Sequence, residues 1–194
     1  MSEAMMEQVT EMPAAPPNGQ VAEVCGRDSP YLLDYPNGLI RMWADSDTER
    51  HHRLHACEKE PWTVEWIERM APGEVLYDVG ASTGPYALIA ASRGVRTFAF
   101  EPCFGTFARL AEHVVLNRLS RILTPLPIAL SSRTGLGLMN YASSKPGSSG
   151  HTFWTLSGGR EAVRYRPLFQ AYVLSLRMDD LVGYAPPVIL AAHH

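Results

Sequence analysis

The sequence predicts an α/β protein with a Rossmann-like parallel sheet, and three observations carry that prediction. Residues 75–102 read as an apolar strand, a glycine turn, a helix, a glycine stop and a second apolar strand ending in a carboxylate, which together make one βαβ unit. A further helical stretch and a further apolar run follow in the same alternation. The chain has 194 residues, 46% of them hydrophobic, which is one domain's worth and enough to bury a core.

Composition narrows the function classes. A formal net charge of −3 gives no electrostatic reason to expect nucleic acid, so small molecules are the predicted substrates. No apolar run approaches the roughly 18 residues of a membrane span, and the N-terminus lacks the basic-then-apolar order of a signal peptide. A cytoplasmic location is the resulting expectation. Cys25, Cys57 and Cys103 are scattered and form no C-x-x-C pair, which predicts free thiols rather than a disulfide framework or a zinc site.

Residues 1–18 mix Met, Glu, Ala and Pro without an apolar period and read as a disordered leader. Residues 19–57 read as a hairpin and a connecting segment, because two apolar runs flank Asn37-Gly38, a strong hairpin signal. His51 and His55 stand at i, i+4, a spacing that places two imidazoles on one helix face. No third ligand accompanies them, so a solvated connecting helix is expected and no metal is assigned. Residues 61–70 form an amphipathic helix with Pro61 in its first turn and Val64, Ile67 and Met70 facing inward.

Val75–Val79 is short and apolar, as expected of a parallel strand covered on both faces. Gly80 and Gly84 bracket a tight turn, Pro85 suits the first turn of the helix that follows, and Gly94 ends that helix. Residues 95–100 are the next strand, with Glu101 at its carboxyl end. Residues 106–117 repeat apolar positions at helical spacing. Residues 122–130 are apolar but hold Pro125 and Pro127, which predicts an irregular or an edge strand. Residues 136–141 suit a strand, and residues 142–150 are Ser/Gly-rich and predicted to be mobile. Two strand-like runs, 162–165 and 171–176, and a helical turn at 178–182 follow. Asp179 and Asp180 read as capping residues there, and residues 186–190 open another buried strand.

The chemistry is read from the first βαβ unit. Glu101 follows Gly80 by about the twenty residues that put an acidic side chain on a ribose hydroxyl. Ser82 stands where a dinucleotide fingerprint has its second glycine, which disfavours close pyrophosphate packing and argues against a nucleotide-dependent reductase. Asp78 at the strand end suits an ammonium group better than phosphates. S-adenosylmethionine, with a ribose, an amino acid head and a sulfonium, fits that charge pattern. Asp78, Gly80, Ala81, Ser82, Gly84 and Glu101 are therefore the predicted cofactor-binding residues. A bare strand-to-helix turn without ligand is the alternative for the glycines, and a helix cap the alternative for Asp78.

The segments around Glu60-Pro61-Trp62, Asp78-Val79-Gly80, Phe98-Ala99-Phe100-Glu101-Pro102, Leu116-Asn117-Arg118-Leu119 and Ile128-Ala129-Leu130-Ser131 resemble the successive motifs of the FkbM-type S-adenosylmethionine-dependent methyltransferases. The resemblance runs from about residue 58 to residue 190. Ser82 departs from it, where family members usually carry Asn, as does Pro85. It implies a class I methyltransferase sheet over residues 58–194, with an N-terminal β-hairpin and a β-rich insertion. It also implies O-methylation of a sugar or secondary-metabolite hydroxyl. The insertion after residue 133 then reads as an acceptor-binding flap, or as a solvent-exposed antiparallel extension. Family members continue past residue 190 into an acidic strand end and further strands, so the resemblance implies a sheet incomplete at its C-terminus. A non-catalytic cofactor-binding or partner-binding remnant is the competing reading. The catalytic base is not identified; His151, at the end of the flap, is the one candidate, with a plain loop histidine as its alternative. Oligomeric state is not legible.

Overall fold

The computed structural model describes residues 29–148, 150–155, 166–181 and 188–190. The expected leader, Cys25, the 162–165 run and residues 186–187 lie outside that set.

The central sheet holds β3 (Val75–Val79), β4 (Arg96–Phe100), β5 (Leu123–Leu126) and β10 (Val188–Leu190) in the order β10-β3-β4-β5. All three pairings are parallel. The chain walks outward from β3 to β5 and then returns to the other side of β3. That reversal is the switch point at which open α/β sheets bind ligands, outside the carboxyl ends of the strands. The Rossmann-like sheet predicted from the sequence is thus present, and the turn after β3 lies at the carboxyl end of the strands.

The connection from β3 to β4 is α3 (Pro85–Ser92), with proline in its first turn as predicted. Every residue from Pro85 to Ala91 is buried, so the helix has no polar face. Its alanines let it sit close against both the sheet and its neighbours, which a helix wrapped on all sides requires. Gly94, at φ +85°, ends it in the left-handed conformation. Two shorter helices, α1 (Ala56–Lys59) and α2 (Pro61–Glu68), precede β3, and Val64, Ile67 and Met70 are buried as predicted. The helix α4 (Phe104–Leu116) follows β4 and begins two residues before the predicted start.

The N-terminal hairpin forms, but not as a tight turn. β1 (Tyr31–Leu32) pairs antiparallel with β2 (Arg41–Met42), and Leu33 N–H donates to the Ile40 carbonyl at 2.9 Å. Asn37-Gly38 therefore sits in a wider loop, where the Asn37 amide donates to Glu68 at 2.6 Å. Asn117 fastens this hairpin to α4, accepting from Arg41 N–H at 2.8 Å and donating to its carbonyl at 2.7 Å. His51 does not stand on a regular helix with His55: residues Glu49–Arg53 form a π-helical turn, which breaks the assumed i, i+4 geometry.

A second sheet has the order β6-β9-β7-β8, from β6 (Ala129–Leu130), β7 (Gly135–Tyr141), β8 (Thr152–Thr155) and β9 (Phe169–Leu176). The proline-bearing run predicted as one irregular strand is two: Pro125 lies in β5, and the chain passes Pro127 into β6 of the other sheet. Met139 and Tyr141 pack with Phe153, Phe169, Ala171 and Val173 against Cys103. The opposite face carries exposed Leu136, Tyr172 and Leu174. A 3₁₀ turn, Met178–Asp180, follows β9; its cap position is Arg177, and neither aspartate caps it. Instead Asp179 pairs with Arg177 at 2.8 Å and Asp180 accepts from the Thr134 hydroxyl. No helix among the described residues is long and apolar enough to cross a membrane.

Candidate functional site

The turn after β3 is built from its backbone upward. Gly80 (φ +75°), Ser82 (φ +53°) and Gly84 (φ +90°) all lie in the left-handed region, so the chain folds back within a few residues. Gly80 and Ala81 N–H both donate to the Phe100 carbonyl, at 2.9 and 3.0 Å, tying the turn to the end of β4. Glycine at 84 is enforced twice: a Cβ there would lie 2.3 Å from Leu110 Cδ1. The sequence marked Ser82 for its place in the glycine pattern, but its left-handed backbone leaves no trace in the residue type.

Glu101 closes the site from the neighbouring strand. Its Oε2 accepts Ser82 N–H at 2.9 Å and its Oε1 accepts Cys103 N–H at 2.8 Å. The carboxylate is 6% exposed. Burial pushes its pKa up, while the two backbone amides and the Arg53 guanidinium pull the other way. Each oxygen retains acceptor capacity beyond its one amide bond.

Asp78 lies beneath the turn, fully buried. Neither of its oxygens has a hydrogen-bond partner among the described residues. Burial first, then the Glu101 carboxylate, push its pKa up to about 7; the Ala87 amide favours the ionised form without making a well-aligned bond. It does not cap α3, whose cap residue is Gly84 with no side-chain hydrogen bond. The Ser82 and Thr83 hydroxyl oxygens are also buried without partners. Buried polar groups in folded chains are mostly paired, and here three unpaired ones stand around a single turn. The predicted cofactor residues Asp78, Gly80, Ala81, Ser82, Gly84 and Glu101 are in this way gathered at one end of two adjacent strands.

Sequence reasoning missed three contributors. Arg53, on the π-helical turn, donates through Nε and Nη2 to the Gly147 carbonyl at 3.3 and 2.9 Å and lies in the field of Glu101. His113, fully buried on α4, places Nδ1 2.7 Å from the Thr83 carbonyl, and its Nε2 accepts Trp43 N–H at 2.8 Å. Arg109, buried on the same helix, pairs with Asp45 at 2.6 Å, Glu112 at 3.2 Å and buried Glu49 at 3.5 Å. Helical spacing marked residues 106–117 as apolar-faced, and a buried histidine or arginine leaves no signal in such a pattern.

The Ser/Gly-rich segment between β7 and β8 lies against the turn. Gly147 N–H donates to Thr106 Oγ1 at 3.3 Å, and a Cβ at 147 would lie 3.1 Å from Glu49 Cγ and 3.4 Å from Thr83 Cγ2. A shallow groove opens beside it, lined by Phe104, Thr106, Tyr141, Lys145 and His151 among others. Tyr141 stacks on Phe169 with ring centroids 4.3 Å apart. His151 belongs to the segment's own framework, because its Nδ1 accepts Ala142 N–H at 3.1 Å. The neutral ring therefore carries its proton on Nε2, and burial holds its pKa below the usual imidazole range.

His55, Asp34 and Glu58 also come together at the surface. Asp34 is there as a helix cap, its two oxygens accepting Cys57 and Glu58 N–H at 3.0 and 2.8 Å. Cys57 and Cys103 are buried free thiols, and burial pushes the Cys57 pKa up to about 12.

No protein-family model matches the chain. A tRNA (guanine(37)-N(1))-methyltransferase of Leishmania major is 54% identical over 33 residues, 17% of this chain and 5% of that protein. Among solved structures, an S-adenosylmethionine-dependent methyltransferase from Agrobacterium tumefaciens is similar at a TM-score of 0.41 and 13% identity, over 52% of this chain and 33% of that one. Methanocaldococcus jannaschii Trm5 in complex with adenosine is similar at a TM-score of 0.36 and 17% identity, over 51% and 30%. A geranyl diphosphate methyltransferase is similar at 0.35 and 14% identity, over 65% and 49%. The chain thus spans less than half the length of each of these proteins.

Proposed function

We propose that this chain carries the cofactor half of an S-adenosylmethionine-dependent methyltransferase of FkbM type, acting on a hydroxyl of a sugar or secondary metabolite. The observation that supports it most is the pairing of Glu101 with the turn: a buried carboxylate at the tip of β4, held by Ser82 and Cys103 amides beside unpaired Asp78. In this reading Glu101 takes the ribose hydroxyls, Asp78 faces the ammonium group, and Gly80, Ala81 and Gly84 let the backbone come close to the methionine portion. The cofactor, when bound, supplies an electrophilic methyl group. The protein's part is then to hold the acceptor in line and keep water out. The 142–150 segment, fastened to Arg53 and Thr106, is suited to that as an acceptor flap. His151 is a framework residue of that flap in this reading, since its Nδ1 lone pair is already engaged.

Calorimetric titration with S-adenosylmethionine and S-adenosylhomocysteine tests the proposal. Glu101→Ala is expected to weaken binding by about 1–3 kcal/mol through loss of a charged hydrogen bond. An unchanged affinity removes Glu101 from the site.

A second reading concerns the acceptor. The 33-residue match to a tRNA (guanine(37)-N(1))-methyltransferase favours a guanine base in RNA over a small molecule. The net charge of −3 speaks for the small molecule, because phosphate contacts call for a basic surface. A gel-shift titration with tRNA at low salt separates them: a shift lost on adding salt supports the RNA acceptor.

A further inference from the structure

Asp78 is the carboxyl at the site whose charge has no hydrogen-bond donor set against its burial among the described residues. It is fully buried, neither oxygen is hydrogen-bonded among the described residues, and it sits two residues before Gly80 of the turn. The ionisable groups around it are mostly of its own sign. From the tip of β4 comes Glu101, and from the junction of α1 and α2 comes Glu60, both of which raise its pKa. From the π-helical turn comes Arg53, but two of its nitrogens donate to the Gly147 carbonyl. Lys59 lies 3.7 Å from Glu60. From α3 comes Tyr86, whose hydroxyl donates to the Ala56 carbonyl at 3.0 Å. From α4 comes His113, engaged with Thr83 and Trp43. The neighbouring strand Val188–Leu190 brings no ionisable residue. The cluster therefore holds three carboxyl groups against an arginine turned toward the flap.

We propose that the glycine turn is a proton-coupled site: seating a cationic ligand beside Asp78 expels the proton that this buried carboxyl shares with solvent in the ligand-free chain. The inference rests on the cofactor reading above and adds to it how the site's charge is balanced. The O–H bond of the Asp78 carboxyl breaks, its electron pair stays on the carboxylate, and the proton passes to buffer. The ligand's positive charge takes its place, so burial no longer disfavours the ionised form.

The test is titration of the whole chain with S-adenosylmethionine at pH 6 and pH 7, in phosphate and in imidazole buffer, whose different ionisation heats count the protons released. With the free carboxyl titrating at about 7 and the complex ionised, linkage gives release of roughly 0.9 proton at pH 6 and about 0.5 at pH 7, with affinity rising about fivefold between them. Adenosine, which has no ammonium or sulfonium group, is expected to bind without proton release. Asp78→Asn is expected to abolish both the release and the pH dependence. Equal heats in the two buffers at both pH values, or release that survives in Asp78→Asn, overturn the proposal while leaving the cofactor reading intact. Absence of S-adenosylmethionine binding at either pH overturns both. The wild-type comparison of buffers, and of S-adenosylmethionine with adenosine, stands whether or not the variant folds.

Discussion

Gly84 and Gly73 share a backbone conformation but not an environment, and the pair separates two costs that are usually confounded. Both have φ near +90°, at +90° and +88°. A Cβ at 73 meets nothing within 4 Å, whereas one at 84 meets Leu110 Cδ1 at 2.3 Å, and Leu110 is fully buried. Gly73→Ala is therefore expected to cost only the left-handed penalty, about 1 kcal/mol. Gly84→Ala adds overpacking of the core and is expected to cost roughly 2–4 kcal/mol. Urea unfolding of the two variants checks this, and equal losses would mean that Leu110 moves aside freely. Glu101 shows the reverse economy. Its charge is buried yet satisfied by two amides, so it fixes the turn.

At the scale of the element, the segment between β7 and β8 is held at three points: His151 to Ala142, Gly147 to Thr106 and Arg53 to Gly147. The first of these titrates. Protonated imidazole has no acceptor nitrogen, so charging His151 breaks its bond from Ala142 N–H. Burial lowers the folded pKa below the ordinary imidazole value of about 6.5. The stabilisation is thus fully present above pH 6.5 and is lost as pH falls from there through the lower folded value. Amide exchange in residues 142–151, corrected for intrinsic rates, is expected to speed up over that window, and His151→Ala to be fast throughout. Protection that does not change between pH 7 and pH 5 would remove the imidazole from the framework. The sequence marked this segment as Ser/Gly-rich and mobile, because composition reports what backbone is permitted and not which partners are reached. It is tethered because Gly105 and Gly147 let it approach: a Cβ at 105 would lie 3.2 Å from the Ser144 carbonyl oxygen.

For the whole molecule, the site is bought with stability. Asp78 with a raised folded pKa imposes no penalty at low pH; the cost appears as pH rises through the unfolded value of 3.8 and is complete above about 7. Asp78→Asn is expected to raise the unfolding free energy of the ligand-free chain by about 2–4 kcal/mol near pH 7.5, and to match the parent near pH 3. Denaturant curves at the two pH values read this directly, and no gain at pH 7.5 would show that the buried carboxyl relaxes at no cost.

The order of β3, α3 and β4, the glycine turn and the acidic tip of β4 were all legible in the chain, because each depends on residues within one βαβ unit. Local steric rules decide where glycine and proline go, and burial on both faces decides that β3 and β4 are continuous apolar runs. The pairing of β10 beside β3, the split of the 123–130 run between two sheets and the gathering of Arg53 and His113 around the turn were not legible. Those depend on contacts between residues far apart in sequence, where residue type alone carries no address. Sequence by itself determined the parts of the site that one turn can hold; tertiary structure alone decided what surrounds them, because burial, and with it the charge state of Asp78, is a property of the packed molecule.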